Sequence, residues 1–188
     1  MGASDALGIG ADDPETEGWV KVFHERMPKG TILHRLGASG ATAAEARAEL
    51  LPHLERAGPP DIVTIWLAVN DFRKQVPLNE YLEHLGEILG RAAATGADVF
   101  VGNLPELVGI PDFDEFHPDE LREVARQWNE GIANLAETHG AVVVDIMEAS
   151  DGLGEERSYL LAEDRFHPSS LGHLALAEIF FHYFEMNR

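Results

Sequence analysis

The chain has 188 residues, with 14 Lys+Arg against 33 Asp+Glu for a formal net charge of −19, 45% hydrophobic residues and no Cys. That length and apolar fraction suit one domain with a full core, while the missing thiols exclude a disulfide framework, a thiolate metal cluster and a cysteine nucleophile. The negative excess and scattered basic residues weigh against DNA or RNA as partners, and apolar runs such as Ile62–Val69 fall far short of the ~18 residues of a membrane span.

Met1-Gly2-Ala3-Ser4-Asp5 opens the chain with no charged segment leading into an apolar one, so no signal peptide is read there. A cytoplasmic location is the expectation, or a secreted one if a leader has been removed upstream. Small residues Gly2 to Gly8 form a turn that leads into a predicted helix over Glu17–Met27. Four short, Val/Ile-rich runs read as strands covered on both faces: Thr31–Leu36, Ile62–Ala68, Val99–Leu104 and Val142–Met147. Between and after them lie amphipathic segments, Thr42–Ala57, Asn79–Ala94, Pro118–His139 and Ser169–Phe184, several of them halted by Gly or Pro. This alternation predicts βαβ units, a parallel sheet and a three-layer α/β/α sandwich. With no internal repeat or low-complexity linker, residues 1–188 are expected to form a single domain.

Ligands in such sheets bind beyond the carboxyl ends of the strands, which directs attention to the residues following each run. Acyl transfer needs a nucleophile, a base, a group to orient the base and donors for an oxyanion. Ser4, flanked by small residues, can be presented without crowding. Gly40 offers an unobstructed backbone N–H and Asn70 a side-chain amide. Asp164-Arg165-Phe166-His167-Pro168 sets a carboxylate three residues before an imidazole, a spacing that lets Asp164 hold His167 Nδ1–H and leaves Nε2 to accept the serine proton. Pro168 then opens the last helix, where its missing N–H costs nothing.

These residues resemble the SGNH (GDSL-type) hydrolases, serine esterases on a flavodoxin-like sandwich. Gly2-Ala3-Ser4-Asp5 is similar to the block carrying the nucleophile, and Ala38-Ser39-Gly40-Ala41-Thr42 to the block whose glycine N–H enters the oxyanion hole. Ala68-Val69-Asn70-Asp71 resembles the block with the oxyanion asparagine. Asp164-x-x-His167-Pro168, followed by Gly172-His173, resembles the block with acid and base. The resemblance implies a mostly parallel sheet of order 2-1-3-4-5 and cleavage of short-chain, acetyl or aryl esters through an acyl-enzyme on Ser4. The triad it implies is Ser4, Asp164 and His167. The oxyanion donors would be Ser4, Gly40 and Asn70, with no cofactor or metal and a small-molecule ester as partner.

Three departures stand out. Ala3 replaces the family's aspartate before the serine, and Ala68 replaces a glycine. Only Met1 precedes Gly2, where the family has an interior strand. Either the chain as given begins late, or Met1–Ser4 forms a minimal strand and the sheet tolerates a gap. A second Asp-x-x-His-Pro, Asp114 to Pro118, has the same local logic, and the family's chain order favours Asp164 and His167 over it. The segment Asn103–Pro118 is expected to wall the substrate site. A catalytically silent small-ligand-binding module of the same fold is the alternative function. The aromatic tail Phe180–Phe184 leaves a homodimer contact open.

Overall fold

The computed structural model describes all residues 1–188. Three parallel strands, β1 (Ile62–Ile65), β2 (Asp98–Gly102) and β3 (Val142–Val144), lie in the order β1-β2-β3. Ile62 pairs with Asp98 and Phe100 with Val142. Helices cover both faces: α1 (Pro14–Glu17), α2 (Trp19–Glu25), α3 (Ala43–Glu45), α4 (Leu51–Arg56), α5 (Val69–Arg73), α6 (Leu78–Ala93), α7 (Pro118–His139), α8 (Ile146–Ala149) and α9 (Ser170–Met186). This is the α/β/α architecture that the alternation of short apolar runs and amphipathic segments requires.

Each long helix buries one stripe. In α6 it is Tyr81, Leu85, Ile88, Leu89 and Ala92; in α7 it is Leu121, Ala125, Trp128, Ile132 and Ala136. These steps of three and four place the side chains on one face of a 3.6-residue helix. They fill the larger core with β1 and β2, whereas Trp19, Phe23, Phe180 and Phe184 of α2 and α9 fill a second core on the opposite face. Trp19 stacks on Phe180 with ring centroids 4.5 Å apart. The aromatic tail thus packs largely within the chain.

The region expected to be one helix over Thr42–Ala57 is α3, a π-helical turn Ala46–Leu50, and α4. Pro52 near the start of α4 has no N–H to continue the ladder, so the register widens just ahead of it. The run Val142–Met147 is strand only to Val144. There Asp145 accepts the Glu148 N–H at 3.1 Å and starts α8.

One expectation for the sheet edge is corrected. Thr31–Leu36 is not a strand: it is irregular, and Ile32 is 78% exposed. Its neighbour is the N-terminal tripeptide, which reaches it at one point only. Gly2 bridges Gly37 on one side and Trp66 on the other, both in parallel. Gly2 N–H donates to Leu36 O at 3.0 Å and Ala38 N–H to Gly2 O at 3.4 Å. Across the other side, Trp66 N–H donates to Met1 O at 3.0 Å and Met1 N to Thr64 O at 2.5 Å. Met1–Ala3 is therefore a minimal interior strand, and the spatial order, from residues 36–38 through 1–3 to β1, β2 and β3, is 2-1-3-4-5. Beyond Met1 a cavity of about 430 Å³ separates residues 31–36 from β1. Within residues 1–188 the one ladder hydrogen bond to this segment is from Gly2 N–H to Leu36 O, too little to hold 31–36 extended.

Candidate active site

The site lies at the carboxyl end of the sheet, where β1 and the Met1–Ala3 bridge release their chains. Directly after that bridge the backbone turns sharply. Ser4 caps a 3-10 turn over Asp5–Leu7, and its carbonyl accepts the Leu7 and Ile9 N–H groups at 3.1 Å each. Asp5 locks the turn from below, its carboxylate accepting Ala3 N–H at 3.0 Å and Trp19 Nε1–H at 2.9 Å. Burial pushes the Asp5 carboxyl up, and these bonds pull against that rise. Ser4 is held as a consequence of its neighbours' bonds, 6% exposed, with its own N–H free of any protein acceptor.

The C-terminal loop brings the imidazole to it. Ser4 Oγ lies 3.1 Å from His167 Nε2, and His167 Nδ1 lies 2.6 Å from Asp164 Oδ2. Arg165 between them has φ 56°, in the left-handed region, which reverses the chain so that Asp164 faces the ring three residues on. Asp164 Oδ1 also accepts Phe166 and His167 N–H at 3.0 Å each. Slight burial would raise this carboxyl, but the bonds from His167 and the two amides outweigh it and hold it below its ordinary value. His167 N–H and Nδ1–H thus both point to one carboxylate, fixing the ring's orientation and tautomer.

Gly40 and Asn70 converge from the far side. Asn70 lines the same cavity as Ser4 and His167, and it also borders a polar cleft that holds Gly40. Asn70 Nδ2 donates to Ala41 O at 3.1 Å, Lys74 Nζ to Gly40 O at 2.8 Å, and Asp71 accepts Ala43 N–H at 2.9 Å. Three bonds from α5 and the residue after it therefore fix the 40–43 loop, whose Gly40 N–H has no acceptor within the protein. Burial pushes the Asp71 carboxyl up to about 6 against the pull of the Ala43 bond.

The five residues singled out from the sequence are thus gathered at one end of the sheet. The second Asp-x-x-His-Pro is not among them: His117 is exposed at the start of α7, and neither it nor Asp114 lines the cavity. Of the expected wall, Pro105, Leu107 and Ile110 line the cavity, while Leu104 and Phe113 pack in the core without reaching it. Two residues support the site in ways the sequence did not show. Gly10, at φ 101°, packs so tightly under the His167 loop that a Cβ there would meet Pro168 O at 2.3 Å and His167 Cβ at 2.8 Å. His173, fully buried, accepts Trp19 N–H at Nδ1 (3.3 Å) and donates from Nε2 to Ile9 O (3.1 Å). Burial holds His173 below the usual imidazole range, in keeping with a neutral structural ring. A His following the last motif carries no local sign of such partners.

A sequence model of the GDSL-like Lipase/Acylhydrolase family matches residues 2–175, a span that contains all five residues. The chain belongs to that family. As a GDSL-family member it is a carboxylic ester hydrolase. It is 28% identical over 150 residues to an acetylxylan esterase of Geobacillus stearothermophilus, covering 77% of this chain and 68% of that protein. Its fold is similar to that of the esterase EstA from Pseudoalteromonas sp., with a TM-score of 0.78, 19% identity, and coverage of 100% of this chain and 97% of EstA. It is also similar to LAE5, an alpha/beta hydrolase from the metagenome of Lake Arreo, Spain, with a TM-score of 0.77 and 24% identity over 97% of this chain and 91% of LAE5. No helix of this GDSL-family hydrolase is long and apolar enough to cross a membrane.

Proposed function

We propose that this hydrolase cleaves carboxylic esters through an acyl-enzyme on Ser4, with His167 as base, Asp164 as its orienting carboxylate, and Ser4 N–H, Gly40 N–H and Asn70 Nδ2–H as oxyanion donors. The observation that carries the reading is the continuous line from Ser4 Oγ to His167 to Asp164, with steps of 3.1 and 2.6 Å. Ser4 Oγ attacks the carbonyl carbon while Nε2 takes its proton. The Asp164 carboxylate stabilises the imidazolium that forms and keeps Nδ1 protonated. Negative charge develops on the former carbonyl oxygen, where preorganised N–H groups need no reorganisation to meet it. As the tetrahedral species collapses, the bond to the alcohol oxygen breaks and Nε2–H protonates that oxygen. Water then attacks the acyl carbon and gives a proton to Nε2; the bond to Ser4 Oγ breaks, Nε2–H returns the proton to Oγ, and the acid leaves. Ala3 in place of an aspartate removes no group from this cycle, because Asp5 anchors the turn from the other side of the serine.

The test does not depend on which ester is the substrate. A serine-reactive fluorophosphonate, followed by peptide mass mapping, is expected to give one adduct per chain on Ser4, lost in Ser4→Ala and in His167→Ala. A folded chain that takes no label would overturn the reading in favour of a silent ligand-binding module. For turnover, the acetylxylan esterase relative makes a sugar acetate one member of the ester panel, alongside aryl esters of increasing acyl length.

A further inference from the structure

Ser4 and His167 open onto a cavity of about 110 Å³ with a mostly apolar lining. It spans the carboxyl end of the sheet, lined by Leu107, Ile110 and Phe166 from the loops as well as by the last helix. Trp66 and Ile146 line it on the sheet side, Ala149 follows on α8, and α9 presents Ala175, Leu176 and Ile179. With Gly172, these positions of α9 are spaced 3, 4 and 7 residues along, one face of the helix. The mouth is at the Gly172 end, since Gly172 packs against Pro168, the neighbour of His167. From there the face leads away from the reacting atoms for about two turns.

We propose that this cavity binds the acyl group of the ester, and that its volume selects a short aliphatic acyl chain of about four carbons. The inference rests on the Ser4 reading above. With the carbonyl carbon at Ser4 and its oxygen toward Asn70, two substituents remain to be housed, the acyl chain and the alcohol. The polar cleft on the other side of Asn70, bordered by Gly40, Glu45, Arg73 and Lys74, suits an alcohol that must take a proton and leave into water. The apolar cavity suits a chain that stays behind on Ser4 through the second step. A cavity of about 150 Å³ lined by Leu, Ile and Phe stays dry and holds benzene, six carbons; 110 Å³ scales to about four. Acetyl would leave most of the cavity unfilled, and octanoyl would exceed it. Each further methylene buried is worth about a fourfold gain in binding, so passing from acetate to butanoate is expected to raise kcat/KM roughly 10–20-fold.

The experiment is a 4-nitrophenyl ester series from acetate to dodecanoate, on enzyme first shown to take the fluorophosphonate at Ser4. The expected profile peaks at butanoate and falls by octanoate. Ile179→Phe, at a half-buried position that tolerates a larger ring, is expected to collapse the butanoate-to-acetate ratio to about one. Leu176→Ala is expected to move the peak to hexanoate or beyond. A labelled wild-type enzyme that prefers acetate, or an Ile179→Phe variant that keeps the wild-type ratio, overturns the acyl-pocket assignment while leaving Ser4 as nucleophile. An unlabelled, folded enzyme with no turnover overturns the Ser4 reading and this inference with it.

Discussion

Asn70 and Asp71 are adjacent and do opposite things. Asn70 faces the cavity that Ser4 opens onto, while Asp71 is buried beneath it and holds the 40–43 loop through Ala43 N–H. On the proposed mechanism, Asn70→Ala is expected to lower kcat about 10²–10³-fold, since one oxyanion donor typically contributes ~2.7–4 kcal/mol; steady-state kinetics on an aryl ester reads it. Asp71 should register in stability instead. Its carboxyl sits at about 6 in the fold against 3.8 ordinarily, so the folded chain holds this proton where the unfolded chain has lost it. Its contribution is therefore fully present below pH 3.8 and declines as pH rises through 6, by on the order of 2–3 kcal/mol in all. Asp71→Asn is expected to remove that slope, so the melting temperature of the variant should gain on the parent between pH 4 and pH 7. Parallel slopes for the two proteins would count against a raised Asp71. From the sequence, Asn70 stood out as an amide directly after a strand; the role of Asp71 did not, because its partner lies 28 residues away.

At the level of elements, the site is a meeting of three loops that the sheet holds side by side. The loop after the Met1–Ala3 bridge carries Ser4, the loop before α9 carries His167, and the 40–43 loop carries Gly40; Gly10 packs the first against the second. Gly10→Ala would set a methyl 2.3 Å from Pro168 O at a backbone angle that side chains avoid. It is expected to push His167 away from Ser4, lowering kcat at least tenfold and the melting temperature by several degrees. Kinetics and thermal denaturation of the same variant check both effects. The periodicity of α6, α7 and α9 was readable along the chain, because a helix satisfies its own backbone and shows its buried face at steps of three and four. Thr31–Leu36 failed for the converse reason. A strand exists only with a partner, and apolar, β-branched composition cannot report that the partner meets it at Gly2 alone. The two Asp-x-x-His-Pro motifs make the same point. Both precede a helix, yet only the later one contains a turn, at Arg165, that faces its carboxylate to its own ring and that ring to Ser4.

Over the whole molecule, a net charge of −19 surrounds a cleft in which Arg73 and Lys74 stand beside Glu45 and Glu49. Self-repulsion at that charge opposes compaction, and a Debye length near 10 Å at ~0.1 M salt shortens its reach. Raising NaCl from about 10 mM to about 150 mM is expected to increase the melting temperature. It is also expected to raise kcat/KM for an anionic ester, such as a hemisuccinate, relative to a neutral ester of the same acyl length. Equal salt responses for the two esters would mean that the site is shielded from the surface field.

The sequence by itself determined the alternation of strand and helix, the positions that face the core, and five short-range signatures around Ser4, Gly40, Asn70, Asp164 and His167. All of these rest on spacing within a few residues, where backbone geometry leaves little choice. Only the tertiary structure decided which residues meet across the chain. It put Ser4 at 3.1 Å from a His 163 residues away, made Met1–Ala3 an interior strand joined through Gly2, and tied Asp5 to Trp19. It also opened a 110 Å³ apolar cavity at the carboxyl end of the sheet, reaching along α9. Those contacts are set by how two cores pack against one twisted sheet, and packing is a property of the assembled elements that no local pattern carries.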